Sequence, residues 1–185
     1  VSRHMRSFWV SALQSAIFNH LLEQRLAEGR LDVVGEGDVL FRHESRKSFL
    51  CDAEAGDPAD LQAEVDAFAL SPAGPIVGPG MPQAGGEVLA RERASFADAG
   101  GEDALFQESE FDFRGTPRPY RIRLTNLELD SGFDEHGSYV RVAFDLPRGS
   151  YATVVLRELI GDEGVEAHRR DRRDRKAFQS PSVGG

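Results

Sequence analysis

The chain has 185 residues, 40% of them apolar and 29% charged, with a net charge of −9. That is enough chain for one core or two small ones, and too much apolar content for wholesale disorder. It holds no apolar run near the roughly 20 residues of a membrane helix, no basic-then-apolar leader, and a single cysteine, Cys51, which leaves no internal disulfide.

These features read as a cytoplasmic protein with no membrane partner. The chain opens on Val1 and its first methionine is Met5, which reads as a piece of something longer. The charge is uneven. Residues 31–112 carry 5 basic and 18 acidic side chains, whereas residues 1–30 are net +2 and the run RRDRRDRK at 169–176 is net +4. A polyanion would have to approach the ends, or a groove that avoids the acidic middle. The plainer reading of that middle is a solvated surface that keeps the protein soluble.

Residues 7–28 predict an amphipathic helix, capped by Ser7 and ended by Gly29. Trp9, Leu13, Ile17 and Leu21 recur at spacing four, and Phe8, Ala12 and Ala16 widen the stripe that should face a core. DVLFRHES and RKSFLCD predict a hairpin turning at Glu44–Lys47. GDPADLQAEVDAFAL predicts a helix with Asp57 as cap, Pro58 at its first position, and Leu61, Val65 and Phe68 inside. Residues 71–86, SPAGPIVGPGMPQAGG, hold four Pro and five Gly and predict an irregular loop. It lacks the Gly-Lys-Ser/Thr of a phosphate-binding loop. GEVLARERASFADA predicts a further helix, with Val88, Leu89 and Phe96 apolar.

Near residue 115 the texture changes. RPYRIRLTNLELD alternates Tyr120, Ile122 and Leu124 with Arg121, Arg123 and Thr125, as a strand with one wet face does. DSGFDEHG predicts a turn region. SYVRVAFDL predicts a second strand, with Val140, Val142, Phe144 and Leu146 on one face and Pro147 as its stop. GSYATVVLRELI then predicts a helix with Tyr151 in its first turn. Two strands do not make a stable sheet, so this second part reads as a portion of a sheet completed elsewhere. The tail 169–185 is charged, then rich in Ser, Pro and Gly, and reads as disordered.

No catalytic constellation stands out. His4, His20, His43, His136 and His168 have neither helical spacing nor a neighbouring cysteine, so no metal site is expected. No G-x-S-x-G is present. Glu108, Glu110 and Asp112 alternate as paired acids would, although a solvated acidic run is the favoured reading. From the residues alone the reading stops at a soluble α+β fragment.

Five stretches carry a resemblance. RSFWVSALQSAIFNHLLEQRL (6–26) is similar to the long helix of TruD-type tRNA pseudouridine synthases, and GDVL (37–40) follows at the family's place. SPAGPIVGPGMPQAGGEVLARE (71–92) resembles the Gly-Pro-rich stretch ahead of a Glu-bearing helix. GTPRPYRI and LPRGSYATVVLREL resemble the closing strands and helix. Together they run in family order over about residues 6–160.

The resemblance implies an α+β fold in three parts. Residues 1–116 would be a mixed insertion domain, residues 117–162 the C-terminal strand-strand-helix portion of the catalytic domain, and residues 163–185 a basic tail. It implies a parent enzyme that isomerises a uridine of tRNA, at position 13 in the family, to pseudouridine without cofactors. The family's nucleophilic Asp lies in a Gly-x-Lys-Asp motif that this sequence does not contain. The resemblance therefore assigns no catalytic residue here. It implies tRNA and the missing N-terminal half as partners, and no activity for this chain alone.

The family's Gly-Ser-aromatic motif falls on Gly149, Ser150 and Tyr151, where the aromatic lines the uracil site and is commonly Phe. A flipped uridine costs a few kcal/mol to unstack, and a flat ring recovers roughly 1–3 kcal/mol of that. Ser150 can cap the helix, whose N–H groups can meet a phosphate or carbonyl. The competing reading is that Tyr151 plugs a sheet end. Arg148, Arg118, Arg121 and Arg123 are candidate RNA-backbone contacts; a solvated sheet face explains Arg121 and Arg123 equally well. Arg157 reads as part of a solvated helix face. A non-catalytic RNA-binding or protein-interaction module on the same fold remains the alternative.

Overall fold

The computed structural model describes residues 2–99, 114–147 and 149–161. The alternating acids Glu108, Glu110 and Asp112, the candidate Arg148, and everything from residue 162 lie outside them. The chain divides into two compact units, Val1–Arg121 and Ile122–Gly185.

The first unit is built on helix α1 (Arg3–Ala27), strands β1 (Val39–Arg42) and β2 (Lys47–Leu50), helix α2 (Pro58–Asp66), strand β3 (Leu70–Ile76), helix α3 (Gly86–Asp98) and strand β4 (Thr116–Pro119). The four strands form an antiparallel sheet in the order β2-β1-β3-β4. This is the α+β class expected. Because β4 belongs to this sheet, the texture change near residue 115 does not mark the end of the unit.

The sheet is covered on both faces. Leu61 and Val65 of α2 pack with Leu40, Leu70 and Cys51 on one side. On the other, Val88 and Leu89 of α3 pack against Val39, Ala73 and Ala84. Ile17 and Leu21 of α1 meet Val77 and Phe96 in a third cluster. Burying side chains of this kind is the main favourable term in folding, about 1.5–3 kcal/mol for each fully buried Leu, Ile or Val.

Local signals settled several boundaries. The Asp57 carboxylate accepts from Ala59 N at 2.7 Å, with Pro58 at the first position of α2, as the pattern predicted. The β1–β2 turn spans 43–46, one residue earlier than the polar break at Glu44–Lys47 placed it, with Lys47 already in β2. Helix α1 starts earlier than Ser7: its cap is Ser2, whose hydroxyl accepts from Met5 N at 3.3 Å. Its apolar stripe also divides. Ile17 and Leu21 are buried, but Phe8 and Trp9 are 59% and 62% exposed and contact each other edge to face. Periodicity marks a face; it does not say how far along the helix the core extends.

The largest correction concerns residues 71–86. The Gly-Pro-rich stretch is not a loop throughout: Leu70–Ile76 is the sheet's third strand, and all but Ile76 are buried. Its prolines are tolerated where their nitrogens face away from the strand they oppose: Pro72 O accepts from Tyr120 N at 3.0 Å, so the polar edge of Pro72 is turned away from β1. β1 pairs with Leu70–Ala73, and β4 with Ala73–Ile76, so Pro72 lies in the first ladder and Pro75 in the second. A proline fits a strand where its missing N–H has no partner to supply. Small residues also let neighbours come close. A Cβ on Gly74 would lie 2.3 Å from the Tyr120 hydroxyl oxygen.

Helix α2 ends unusually. Ala69 N donates to Glu64 O and Phe68 N to Val65 O, and Phe68 takes φ 60°, where glycine is the usual choice. The ring is held on the His43 imidazole, 4.8 Å between centroids, and by the Arg121 guanidinium 4.9 Å from its centre.

The second unit holds the antiparallel ribbon β5 (Thr125–Asp134) and β6 (Gly137–Asp145) and the helix α4 over 152–161. Two expectations change here. The strand predicted over 119–125 does not form: residues 121–124 have no strand pairing, and β4 and β5 lie on either side of them. The turn region is shorter than DSGFDEHG, because β5 runs to Asp134 and only residues 135–136 turn. Alternation alone cannot tell a continuous strand from two strands joined by an extended link.

Candidate nucleic-acid interface

Beyond Pro147, Ser150 N donates to Pro147 O at 3.1 Å and closes a tight turn. Gly149 stands in that turn at φ 89°, a conformation that a Cβ disfavours. Tyr151 follows immediately. Its carbonyl accepts from Val154 N at 3.1 Å, so it flanks the first turn of α4, which begins at residue 152. Tyr151 is 69% exposed and immediately precedes the first turn of a helix, where the leading N–H groups have no partner within the helix. An exposed flat ring next to backbone donors can stack on a base and hold a carbonyl or phosphate.

The candidate arginines separate. Arg118 and Arg121 belong to the first unit; Arg123, with Gly149, Ser150 and Tyr151, belongs to the second. Arg118 sits half-buried on β4, its guanidinium 5.2 Å from the centre of the Phe18 ring. Arg121 is engaged in the fold: Nη2 donates to Val65 O at 2.8 Å, and Nη1 lies 3.6 Å from Asp32 Oδ2. Arg123 is exposed on the link ahead of β5. Arg121 and Arg123 therefore share no strand face. Arg157 is exposed on α4.

Sequence reasoning passed over a buried charged cluster in the first unit. Arg25, in the last turn of α1, forks onto Asp38 at 2.6 and 3.0 Å. It also donates to the carbonyls of Arg30 and Val33. Burial disfavours the Arg25 charge, but the hydrogen bond and charge of Asp38 more than offset it, and its pKa is raised. Glu92 of α3 is 5% exposed; burial, then the Asp38 charge, push its carboxyl up to about 7, against an opposing pull from Arg25. Arg25, Glu92, Gln24 and Tyr120 line a cavity of ≈ 20 Å³, room for about one water. The signal was present in GDVL: its Asp38 is this buried acid. Its Gly37, at φ 84°, carries backbone against which a Cβ would meet Gly85 O at 2.5 Å. These stretches build the fold. Among the described residues, no group of three or more His, Cys, Asp or Glu side chains could hold a metal ion, and no helix is long and apolar enough to cross a membrane.

A sequence profile described as tRNA pseudouridine synthase D (TruD) matches residues 1–159. The chain belongs to the TruD family. It is 40% identical over 159 residues to a tRNA pseudouridine synthase D of Anaeromyxobacter dehalogenans, covering 85% of this chain and 43% of that relative. A Geobacter metallireducens TruD is 37% identical over 161 residues, covering 86% and 37%. A crystal structure of a Methanosarcina mazei protein assigned to TruD superposes with a TM-score of 0.66 at 26% identity, covering 85% of this chain and 38% of that one. The chain thus spans less than half the length of these TruD relatives.

Proposed function

We propose that this chain is the distal portion of an enzyme that converts a uridine of tRNA, at position 13, to pseudouridine. The observation that carries the reading is the family match over residues 1–159, within which the Gly149-Ser150-Tyr151 turn displays an exposed ring at a helix start. The insertion domain would be the first unit, Val1–Arg121, a few residues longer than the 1–116 expected from the sequence, and the closing part of the catalytic domain would lie in the second, from Ile122. The protein would work in the cytoplasm.

In this reading tRNA is the substrate. Tyr151 stacks under the flipped uracil, Gly149 lets the backbone come close, and Ser150 shapes the turn. Arg148, Arg118, Arg121 and Arg123 are the candidate phosphate contacts. Of these, Arg121 keeps its fold contacts and offers RNA only what they leave. The reaction breaks the bond from the ribose to a base nitrogen and forms one to a base carbon. Atoms and electrons are conserved, so no co-substrate enters the balance. The nucleophilic Asp would come from the part of the enzyme that this chain does not span, since Gly-x-Lys-Asp is absent.

The test is complementation. This chain, the remaining part of a TruD enzyme, and the two together are each incubated with unmodified tRNA, and pseudouridine is mapped. The expected outcome is pseudouridine at position 13 with the mixture only. Product from this chain alone would overturn the assignment of the nucleophile to the missing part. A correctly folded mixture that binds tRNA and makes no product would favour the non-catalytic module.

A further inference from the structure

The acidic block at 31–112 holds five basic side chains, Arg42, Arg46, Lys47, Arg91 and Arg93, and the first three stand on or beside the β1–β2 turn. Arg42 is ion-paired with Glu64 of α2, and Arg91 with Glu28 at 3.1 Å. Arg46 and Lys47 are exposed, and neither forms an ion pair or a side-chain hydrogen bond among the described residues. Glu44 is the turn's own acid, so residues 42–47, with three basic side chains and one acidic, are net +2. Two features of this turn run against its own stability. Arg42 and Lys47 are direct cross-strand partners, so their side chains leave the same side of the sheet, and like charges placed opposite each other repel. Arg46 takes φ 58°, a left-handed conformation in which glycine or asparagine is usual. The turn is nevertheless held in shape. Arg46 N donates to Arg42 O at 2.8 Å. At its base, His43 Nε2 lies 2.8 Å from Ser71 Oγ, and the His43 ring stacks on Phe68. The same Phe68 ring meets the Arg121 guanidinium, so the turn stands at the end of the sheet where the chain leaves the first unit.

We propose that the β1–β2 turn is an RNA-backbone contact of the first unit, with Arg46 and Lys47 as its phosphate ligands. The inference rests on the reading above, that tRNA is the substrate, and it gives the acidic unit a part in holding that substrate. Uncompensated cations on a pre-shaped turn fit a chain of phosphates. A phosphate beside Lys47 offsets its repulsion by Arg42, and each cation that meets the backbone releases counterions from the RNA. The acidic side chains of the rest of the block repel a polyanion, which confines the contact to this end of the sheet. A phosphate contact carries no base information. The turn would therefore hold the tRNA by its shape and leave the choice of uridine to the site at Tyr151.

The test follows Lys47 directly. The full 185-residue chain is acetylated at low ionic strength with and without unmodified tRNA, and modification of Lys47 is read by mass spectrometry. Protection of Lys47 by tRNA is the expected result. Binding that leaves Lys47 fully reactive would overturn the proposal, as would no binding at all. Separately, Arg46→Ala and Lys47→Ala should each weaken tRNA binding at least about threefold and lower the slope of log affinity against log salt by about 0.7–0.9. Arg93→Ala removes an exposed cation of α3 that is also unpaired among the described residues, and it should leave both quantities unchanged. Equal weakening by Arg93→Ala would show that net charge, and not the turn, draws the RNA, and would sink the idea. Circular dichroism checks that each variant keeps its fold, and the protection of Lys47 in the unaltered chain decides the matter if one does not. Protection of Lys47 with no pseudouridine from the complemented mixture would overturn the proposed function and leave this contact standing. Pseudouridine formation with KM unchanged by Arg46→Ala and Lys47→Ala would do the reverse.

Discussion

Arg25 and Asp38 close a two-pronged ion pair inside the first unit, joining the end of α1 to the residue just ahead of β1 at 2.6 and 3.0 Å. Asp38 is 1% exposed, and its second oxygen also accepts from Gly35 N at 2.8 Å. Removing one partner of such a pair strands the other charge away from water. Asp38→Ala should therefore cost about 3–5 kcal/mol of stability, read by urea unfolding of the full chain. A loss below about 1 kcal/mol would show that water readily replaces the carboxylate.

Glu92 makes stability depend on pH. Its carboxyl titrates near 7 in the fold, against 4.5 for the ordinary group. Between those values the folded state binds more protons than the unfolded one, so stability falls as pH rises through the window. Burial comes first as the cause, then Asp38, with Arg25 opposing both. Glu92→Gln should leave stability near pH 4.5 almost unchanged. At pH 8 it should raise stability by about 3 kcal/mol, at 1.36 kcal/mol per unit. Parallel pH–stability curves for the two proteins would refute this.

Gly115 and Gly78 meet backbone to backbone where the chain enters β4. A Cβ on Gly115 would lie 2.1 Å from Gly78 O, and Gly115 N donates to Pro79 O at 3.1 Å. No flexible side chain is there to yield. Gly115→Ala should cost about 1–3 kcal/mol through the forced backbone shift. Thermal unfolding would show it, and an unchanged midpoint would mean that the two segments part easily.

Tyr151 offers a ring, and the family's usual residue at this position is Phe. In the complemented enzyme, Tyr151→Phe should retain activity. Tyr151→Ala should lose roughly 1–3 kcal/mol of stacking, about 5- to 150-fold in kcat/KM, with the chain's own unfolding midpoint unaltered because the ring is exposed. Comparable losses in both variants would place the hydroxyl, instead of the ring, in contact with substrate.

Much of this was legible where local physics decides. Asp57-Pro58 dictates where α2 begins. The polar break at Glu44–Lys47 marks the β1–β2 turn to within one residue, the turn itself spanning 43–46. Helix α1 follows from its 3.6-residue pattern, and the turn ahead of α4 from Pro147 and Gly149. Each involves residues within a few positions of one another, where capping, turn chemistry and periodicity act.

What the chain could not announce was set by partners distant in sequence. Leu70–Ile76 looks like a loop by composition and is a buried strand, because Pro72 and Pro75 each sit in a ladder, opposite Leu40 and Pro117, at a position where no N–H from the proline is asked for. Arg121 and Arg123 look like one wet face, yet Arg121 is drawn to Phe68, Val65 and Asp32, tens of residues upstream. The Trp9 and Ile17 positions look alike on a helical wheel, and only the reach of the sheet beneath α1 buries one and leaves the other out. The sequence by itself determined the family, the helices and the β1–β2 hairpin, since these rest on words and spacings a few residues long. The tertiary structure alone decided which prolines sit in a sheet, which charges are buried and which apolar face is left open, since burial is a property of what packs against a residue and not of the residue.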